Sequence, residues 1–124
     1  MTGHKILLVE DNAANMTLAT FLLQSAGYEV IAANDAETGV SLARTQNPAL
    51  ILMDIQLPGM DGLQATAMLR ADESTRDIPV IALTALAMKG DEERIRAAGC
   101  NGYIAKPLDY KSFLATVAGY CREL

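Results

Sequence analysis

The chain has 124 residues, 51% of them hydrophobic and 20% charged, which suits one globular domain and excludes a disordered segment. Its net charge of -5 argues against non-specific attraction to nucleic acid or to an anionic membrane. No apolar run approaches the ~20 residues needed to cross a bilayer, and the opening "MTGHKILLVE" has neither the charged start nor the long apolar stretch of a signal peptide.

In chain order, the first element is the run "KILLVE" (5–10), which ends on Glu10 and is followed by Asp11. It is continuously apolar rather than alternating, as expected of a parallel strand covered on both faces. A helical pattern follows, with Leu18, Leu22 and Ala26 marking its face and Gly27 its stop. Glu10, Asp11 and Asn12 stand directly before that helix, where they are able to cap its first turn. "YEVIAA" (28–33) is the second run; Asp35 is a predicted N-cap for a helix whose face is Ala36, Val40 and Ala43.

The third run, "ALILMD" (49–54), carries a charge at its end: Asp54 closes an apolar stretch and the turn-rich "LPGMDG" follows at once. A carboxylate beside so much apolar sequence is costly unless something compensates it. A third helix is predicted from about Gly62, with Leu63 and Ala67 one turn apart. "IPVIALT" (78–84) ends on Thr84. "GDEERIRAAG" reads as a helix with acids in its first turn, arginines after them and Gly99 as the stop, which suits the helix dipole. "GYIAK" (102–106) ends on Lys106, and a last helix is predicted from about Asp109 with Phe113, Val117, Tyr120 and Leu124 on one side.

Five such units imply an α/β fold: an open parallel sheet with helices on both faces and right-handed crossovers. In such sheets the site lies at the carboxyl ends of the strands. Glu10, Asp11, Asp54, Thr84 and Lys106 all fall at those ends, so nearly every polar group able to do chemistry converges on one rim.

Three carboxylates in one pocket repel, and at least one should have a raised pKa unless a cation joins them. The donors are hard oxygens. Magnesium suits a few carboxylates plus water; calcium is compatible on ligand type, but EF-hand spacing is absent. With a divalent cation on one side and Lys106 on the other, Asp54 remains anionic and able to attack a phosphoryl group, giving an acyl phosphate. Thr84 would contact a phosphoryl oxygen. The competing reading of these residues is a structural Asp54–Lys106 ion pair. His4, the only histidine, sits in the N-terminal tail, which leaves no histidine for acid–base work at the rim. Cys100 and Cys121 follow no metal spacing and read as reduced thiols.

"LLVEDN", "LILMDIQLPGMDG", "VIALTA" and "GCNGYIAKP", in this order and spacing, resemble the receiver domain of two-component response regulators across essentially the whole chain. The resemblance implies a flavodoxin-like (CheY-like) doubly wound sheet of five parallel strands, order 2-1-3-4-5, with five helices. It implies a single receiver domain over 1–124 without an output domain, a phosphoacceptor rather than an enzyme. Asp54 would accept phosphate from a phosphohistidine on a sensor histidine kinase or a histidine phosphotransfer protein. Mg2+ would be held by Asp11, Asp54 and the backbone carbonyl of Gln56, with Glu10 acting through water. Thr84 and Tyr103 match the switch pair and Lys106 the phosphate-binding lysine; the Lys106–Pro107 bond is commonly cis in this family.

"EDNAANM" and "LTALAMKGDEERIRAAGCNGYIAKP" further resemble DivK-type single-domain regulators of bacterial cell division and polarity. The resemblance implies a cytoplasmic protein, open to polar recruitment by a membrane kinase that docks on the first helix. Its downstream protein partner would bind the face formed by the fourth helix, fifth strand and fifth helix, with neither nucleic acid nor membrane insertion involved. Leu86, two residues after Thr84, and Gln56, two after Asp54, occupy positions that influence dephosphorylation in receivers; the apolar run Ala85–Met88 reads either as a partner contact on the leading edge of the fourth helix or as packing on its own domain. Alternative roles are a shuttle in a phosphorelay and a degenerate receiver that only binds proteins.

Two other classes fit less well. A phosphatase of the haloacid dehalogenase type needs a second Asp two residues after its nucleophile, where this chain has Gln56. A flavodoxin-like cofactor carrier needs backbone N–H groups after the first strand, where "EDNAAN" puts negative charge.

Overall fold

A computed structural model describes residues 4–85 and 89–121. The apolar runs form β1 (Lys5–Val9), β2 (Glu29–Ala33), β3 (Leu50–Asp54), β4 (Val80–Thr84) and β5 (Gly102–Ala105). All pair in parallel, in the order β2-β1-β3-β4-β5. The three inner strands, β1, β3 and β4, are buried along almost their whole length, whereas β2 and β5 at the edges are partly open. That is why the inner runs are continuously apolar and the outer ones mixed.

Alternate residues of each strand feed two cores. Leu7, Val9, Ile51, Met53, Val80 and Ala82 pack beneath α2 (Ala36–Gln46), α3 (Gly62–Ala71) and α4 (Lys89–Ala97). Ile6, Leu8, Leu50, Leu52, Ile81 and Leu83 pack beneath α1 (Ala13–Ser25) and α5 (Tyr110–Cys121). Each fully buried Leu or Ile contributes about 1.5–3 kcal/mol of burial free energy. Cys100 lies in the first core and Cys121 in the second, so the sheet separates the two free thiols.

The helix ends follow local rules. Asp35 caps α2 by accepting from the Thr38 N–H at 2.7 Å, as its position predicts. Asp61 and Gln64 form a reciprocal capping box at the start of α3. Asp109 accepts from the Ser112 N–H at 3.0 Å to open α5. Gly27 and Gly99 leave their helices at φ 95° and 111°, which only glycine adopts freely.

Two helix faces differ from the predicted ones. In α1 the buried residues are Ala19, Leu22 and Leu23, whereas Leu18 and Ala26 face outward. In α3 they are Gly62, Ala65, Thr66 and Leu69, with Leu63 half-buried and Ala67 exposed. Both helices carry apolar residues around much of their circumference, so spacing alone did not select the inward stripe. In α5, Phe113 and Val117 are buried and Tyr120 half-buried as expected; Leu124 lies outside the described residues. Leu86 and most of the run to Met88 lie outside them as well.

Candidate functional site

The carboxyl ends of β1, β3, β4 and β5 converge on one crevice. Glu10, one residue past β1, is buried; its N–H is taken by the Ala33 carbonyl at 3.0 Å, which fixes the chain as it leaves the sheet. Asp11 is exposed at the mouth. The turn is then closed by Asn12 alone, whose side chain accepts from the Asn15 N–H at 2.9 Å. Asn12 takes over the capping role, which leaves both acids available to the crevice.

Asp54 ends β3 with only 2% of its surface exposed. Its Oδ1 accepts from the Gln56 N–H at 2.9 Å and its Oδ2 from Lys106 Nζ at 2.9 Å. The same ammonium stands 3.0 Å from Glu10 Oε1, while Glu10 Oε2 accepts from the Asn12 N–H at 3.2 Å. Lys106 arrives from the far edge strand: its backbone N–H donates to the Thr84 carbonyl at 2.8 Å, and the Lys106–Pro107 bond is cis. Thr84 ends β4 and is fully buried. A further support is Gly62. A Cβ there would lie 2.3 Å from the Asp54 carbonyl oxygen and 2.7 Å from Ile55 Cα, so only glycine lets α3 start this close to the end of β3.

The electrostatics follow from this crowding. Burial, then the hydrogen bond to Asp54, push Glu10 up to about 7, against the opposing pull of Lys106. Burial alone would raise Asp54 too, but its hydrogen bonds with Glu10, the Gln56 N–H and Lys106 hold it below its ordinary value. Lys106, which burial would lower, is raised by the two carboxylates it bridges. A proton shared by the two acids therefore rests on Glu10 and leaves Asp54 anionic.

Glu10, Asp11 and Asp54 bring one carboxylate oxygen each to within 4.8 Å of one another. The donors are hard oxygens, carry more negative charge than Lys106 neutralises, and include an exposed member through which solvent reaches the crevice. That set fits a divalent cation of the magnesium type, with water completing its shell.

Of the residues singled out in the sequence, Glu10, Asp11, Asp54, Thr84 and Lys106 are brought to one rim. Tyr103 is half-buried in β5 and packs on the α2–α3–α4 side, its hydroxyl donating to Glu92 Oε1 of α4 at 3.4 Å. Sequence reasoning missed Glu92 and the tight seat of Gly62. The turn motif around Gly62 was a signal for the second; nothing local marks the first, because Glu92 and Tyr103 sit on different elements.

Residues 6–118 match the model of the response regulator receiver domain. A curated relative, the polar-differentiation response regulator DivK of Brucella ovis, is 50% identical over 115 residues, covering 93% of this chain and 94% of that protein. Its counterpart in Brucella anthropi is 50% identical over the same span. Among solved structures, the receiver domain of the sensor histidine kinase PA1611 from Pseudomonas aeruginosa, with a magnesium ion coordinated in its active-site cleft, aligns with a TM-score of 0.90 at 42% identity, covering 97% of this chain and 98% of that one. The chemotaxis response regulator CheY4 of Vibrio cholerae aligns with a TM-score of 0.91 at 26% identity, covering 96% of this chain and 99% of that one.

Proposed function

The chain belongs to the response regulator receiver domain family, and on that premise we propose that Asp54 accepts a phosphoryl group from a phosphohistidine on a sensor histidine kinase or a histidine phosphotransfer protein. The observation that carries this reading is the buried Asp54 carboxylate, held between the Lys106 ammonium and the Gln56 amide beside two further acids. An Asp54 oxygen forms the new O–P bond while the N–P bond to the donor imidazole breaks, and the imidazole nitrogen leaves with the electron pair. Lys106, already bound to two carboxylates, gives up one of them and turns its ammonium to a phosphoryl oxygen. The Thr84 hydroxyl takes another.

Asp11 and Asp54 would hold Mg2+ directly, the Gln56 backbone carbonyl would add a ligand, and Glu10 would act through water. The ion supplies neutralisation of the phosphoryl charge when bound. The chain itself fixes the acceptor oxygen through Gln56 and restricts solvent by burying Asp54. Gln56 stands where a hydrolase would need an acid, so the chain serves as phosphoacceptor rather than as an enzyme on external substrates.

The donor's docking surface is α1, which presents Leu18 and Phe21, 42% and 65% exposed, on the turns after Ala13 and Ala14. Output leaves through α4, β5 and α5 when Thr84 and Tyr103 change position, and it is read by a protein partner. The DivK relatives, named polar-differentiation response regulators, support a role in polarity. No described helix is long and apolar enough to cross a membrane; we place the protein in the cytoplasm, recruited to a pole by a membrane kinase. The likeness to a receiver of a sensor histidine kinase supports a second reading, a shuttle in a phosphorelay.

Labelling with acetyl phosphate and magnesium tests the acceptor. The expected product is an acid-stable, base-labile label on the wild type and none on Asp54→Ala; label retained by that variant refutes the assignment. Return of the label to a histidine phosphotransfer protein separates the shuttle from a terminal regulator.

A further inference from the structure

Tyr103 does not point freely into solvent; its hydroxyl is tied to a carboxylate on the neighbouring helix. We infer that Glu92 is a positioning residue that holds Tyr103 against α4, so that inward rotation of the ring must first break this contact. The inference rests on the receiver reading above, in which Tyr103 moves with Thr84.

Three observations carry it. First, the contact joins two elements: the Tyr103 hydroxyl of β5 donates to Glu92 Oε1 of α4 at 3.4 Å. Second, among the described residues the competing partner of Glu92 is weak and uses the other oxygen. Arg96 Nε lies 3.8 Å from Oε2, both side chains are about half exposed, and such pairs contribute little. Third, α4 is fastened at the end from which Glu92 takes its bearing. Ile95 is fully buried in the core one turn after Glu92. The turn that follows is held by Arg70 Nε donating to the Gly99 carbonyl at 2.9 Å and by Arg96 donating to the Asn101 carbonyl at 3.3 Å.

Glu92 is thus presented to β5 by a helix whose carboxyl end is anchored, while Gly90 near its start is exposed. The hydroxyl and the carboxylate form a bond between a half-buried donor and a partly solvated acceptor. A contact of this kind biases a two-state ring without locking it, and a ligand that prefers the other orientation overcomes it. Glu92 then sets how much of the unphosphorylated population already has the ring turned inward.

The test uses the full chain labelled with fluorotyrosine, with the Tyr103 signal assigned by Tyr103→Phe. Beryllofluoride with magnesium, a phosphoryl mimic, defines the signal's shifted end point. Without the mimic, Glu92→Ala should move the Tyr103 signal toward that end point, a change of about two- to tenfold in the ratio of ring orientations. Glu92→Gln keeps an acceptor oxygen and should stay nearer the wild type. Equal shifts in both variants assign the hold to the charge and sustain the latch. A Tyr103 signal that stays at its wild-type position in Glu92→Ala, or moves the other way, overturns it. Acetyl phosphate labelling of the same samples separates the two levels: a wild type that takes no label ends the receiver reading, whereas normal labelling with an unmoved Tyr103 ends only the latch.

Discussion

The two rims of the sheet are both rich in polar side chains, yet they are balanced in opposite ways. At the carboxyl rim, one ammonium serves two buried carboxylates, with a third acid beside them. At the amino rim, one guanidinium is met on every side: Arg70 donates to the carbonyls of Gly99, Arg76 and Ile78 at 2.7–2.9 Å and to Asn101 Oδ1 at 2.8 Å. Asn101 Oδ1 also accepts from the Val80 N–H at 2.9 Å, and the Asn101 carbonyl accepts from the Tyr120 hydroxyl at 3.1 Å. The first rim carries surplus negative charge and responds to whatever neutralises it. The second has its charge met by fixed acceptors, and it anchors α3, α4, α5 and the starts of β4 and β5.

The largest effect should come from removing the shared cation. Lys106→Met leaves Glu10 and Asp54 facing each other and deprives the transferred phosphoryl group of an ammonium. Labelling by acetyl phosphate should fall by about 10²–10³-fold, the usual effect of losing one charge-stabilising donor. Labelling that falls less than twofold would show that the ammonium serves only to balance the buried acids.

The same operation on the other rim should separate stability from chemistry. Arg70→Met removes the donor from the partly buried carbonyls of Gly99 and Ile78 and from the exposed Arg76 carbonyl, leaves Asn101 Oδ1 with the Val80 N–H alone, and should lower stability by about 1–3 kcal/mol in urea unfolding. Below its unfolding temperature the variant should still take label at Asp54 to the wild-type extent. If labelling dropped while the fold held, the two rims would be coupled and the contrast between them would fail.

Much of the carboxyl rim was legible in the sequence because each strand announces its end by switching from apolar to polar: Val9 to Glu10, Met53 to Asp54, Leu83 to Thr84. Parallel strands with right-handed crossovers force those ends to one side, so local reading sufficed. The amino rim was not legible, since Arg70 meets partners 29 and 31 residues away and nothing in its own stretch of α3 points to them. The inward face of α1 failed for another reason. Leu18 and Phe21 make that helix apolar on two sides, and only packing decides which side goes in. Asn12 was read as sharing the capping with Glu10 and Asp11; one amide is enough to close the turn, and the acids are set free for the crevice.

The acid pair also predicts a pH response confined to the carboxyl rim. With divalent metal removed by chelation, Glu10 in the folded chain keeps its proton up to about 7, while the unfolded chain loses it near 4.5. Between those values the folded state binds more protons, so its stability should decline as pH rises, by about 1–2 kcal/mol, and level off above the folded value. Magnesium competes with that proton and should stabilise the fold more at about pH 8 than at about pH 5.5. Urea midpoints across pH, with and without the metal, measure both trends. Glu10→Gln should flatten the chelated profile, whereas Arg70→Met should leave its slope intact; the reverse pattern would place the titrating group at the wrong rim.

The smallest effect concerns an apolar surface on the helix that leaves the charged rim. Phe21 is 65% exposed, and beside Leu18, Thr17, Ala14 and Ala13 it forms an uncharged patch on α1, the helix that begins just after the acid pair. Because the ring buries so little surface in the chain itself, Phe21→Ala should change stability by no more than about 0.5 kcal/mol. Acetyl phosphate, too small to need a docking surface, should label the variant as it labels the wild type. On the proposed docking mode a phosphorylated kinase or phosphotransfer protein buries the patch as it brings its histidine to Asp54, and loss of an anchoring aromatic at such a contact costs about 1 kcal/mol or more, close to fivefold in transfer rate. The diagnostic quantity is therefore the ratio of the two rates, not either alone. A fall in both would mean that Phe21 supports the acceptor site from within, and a fall in neither would move the donor's docking surface off α1.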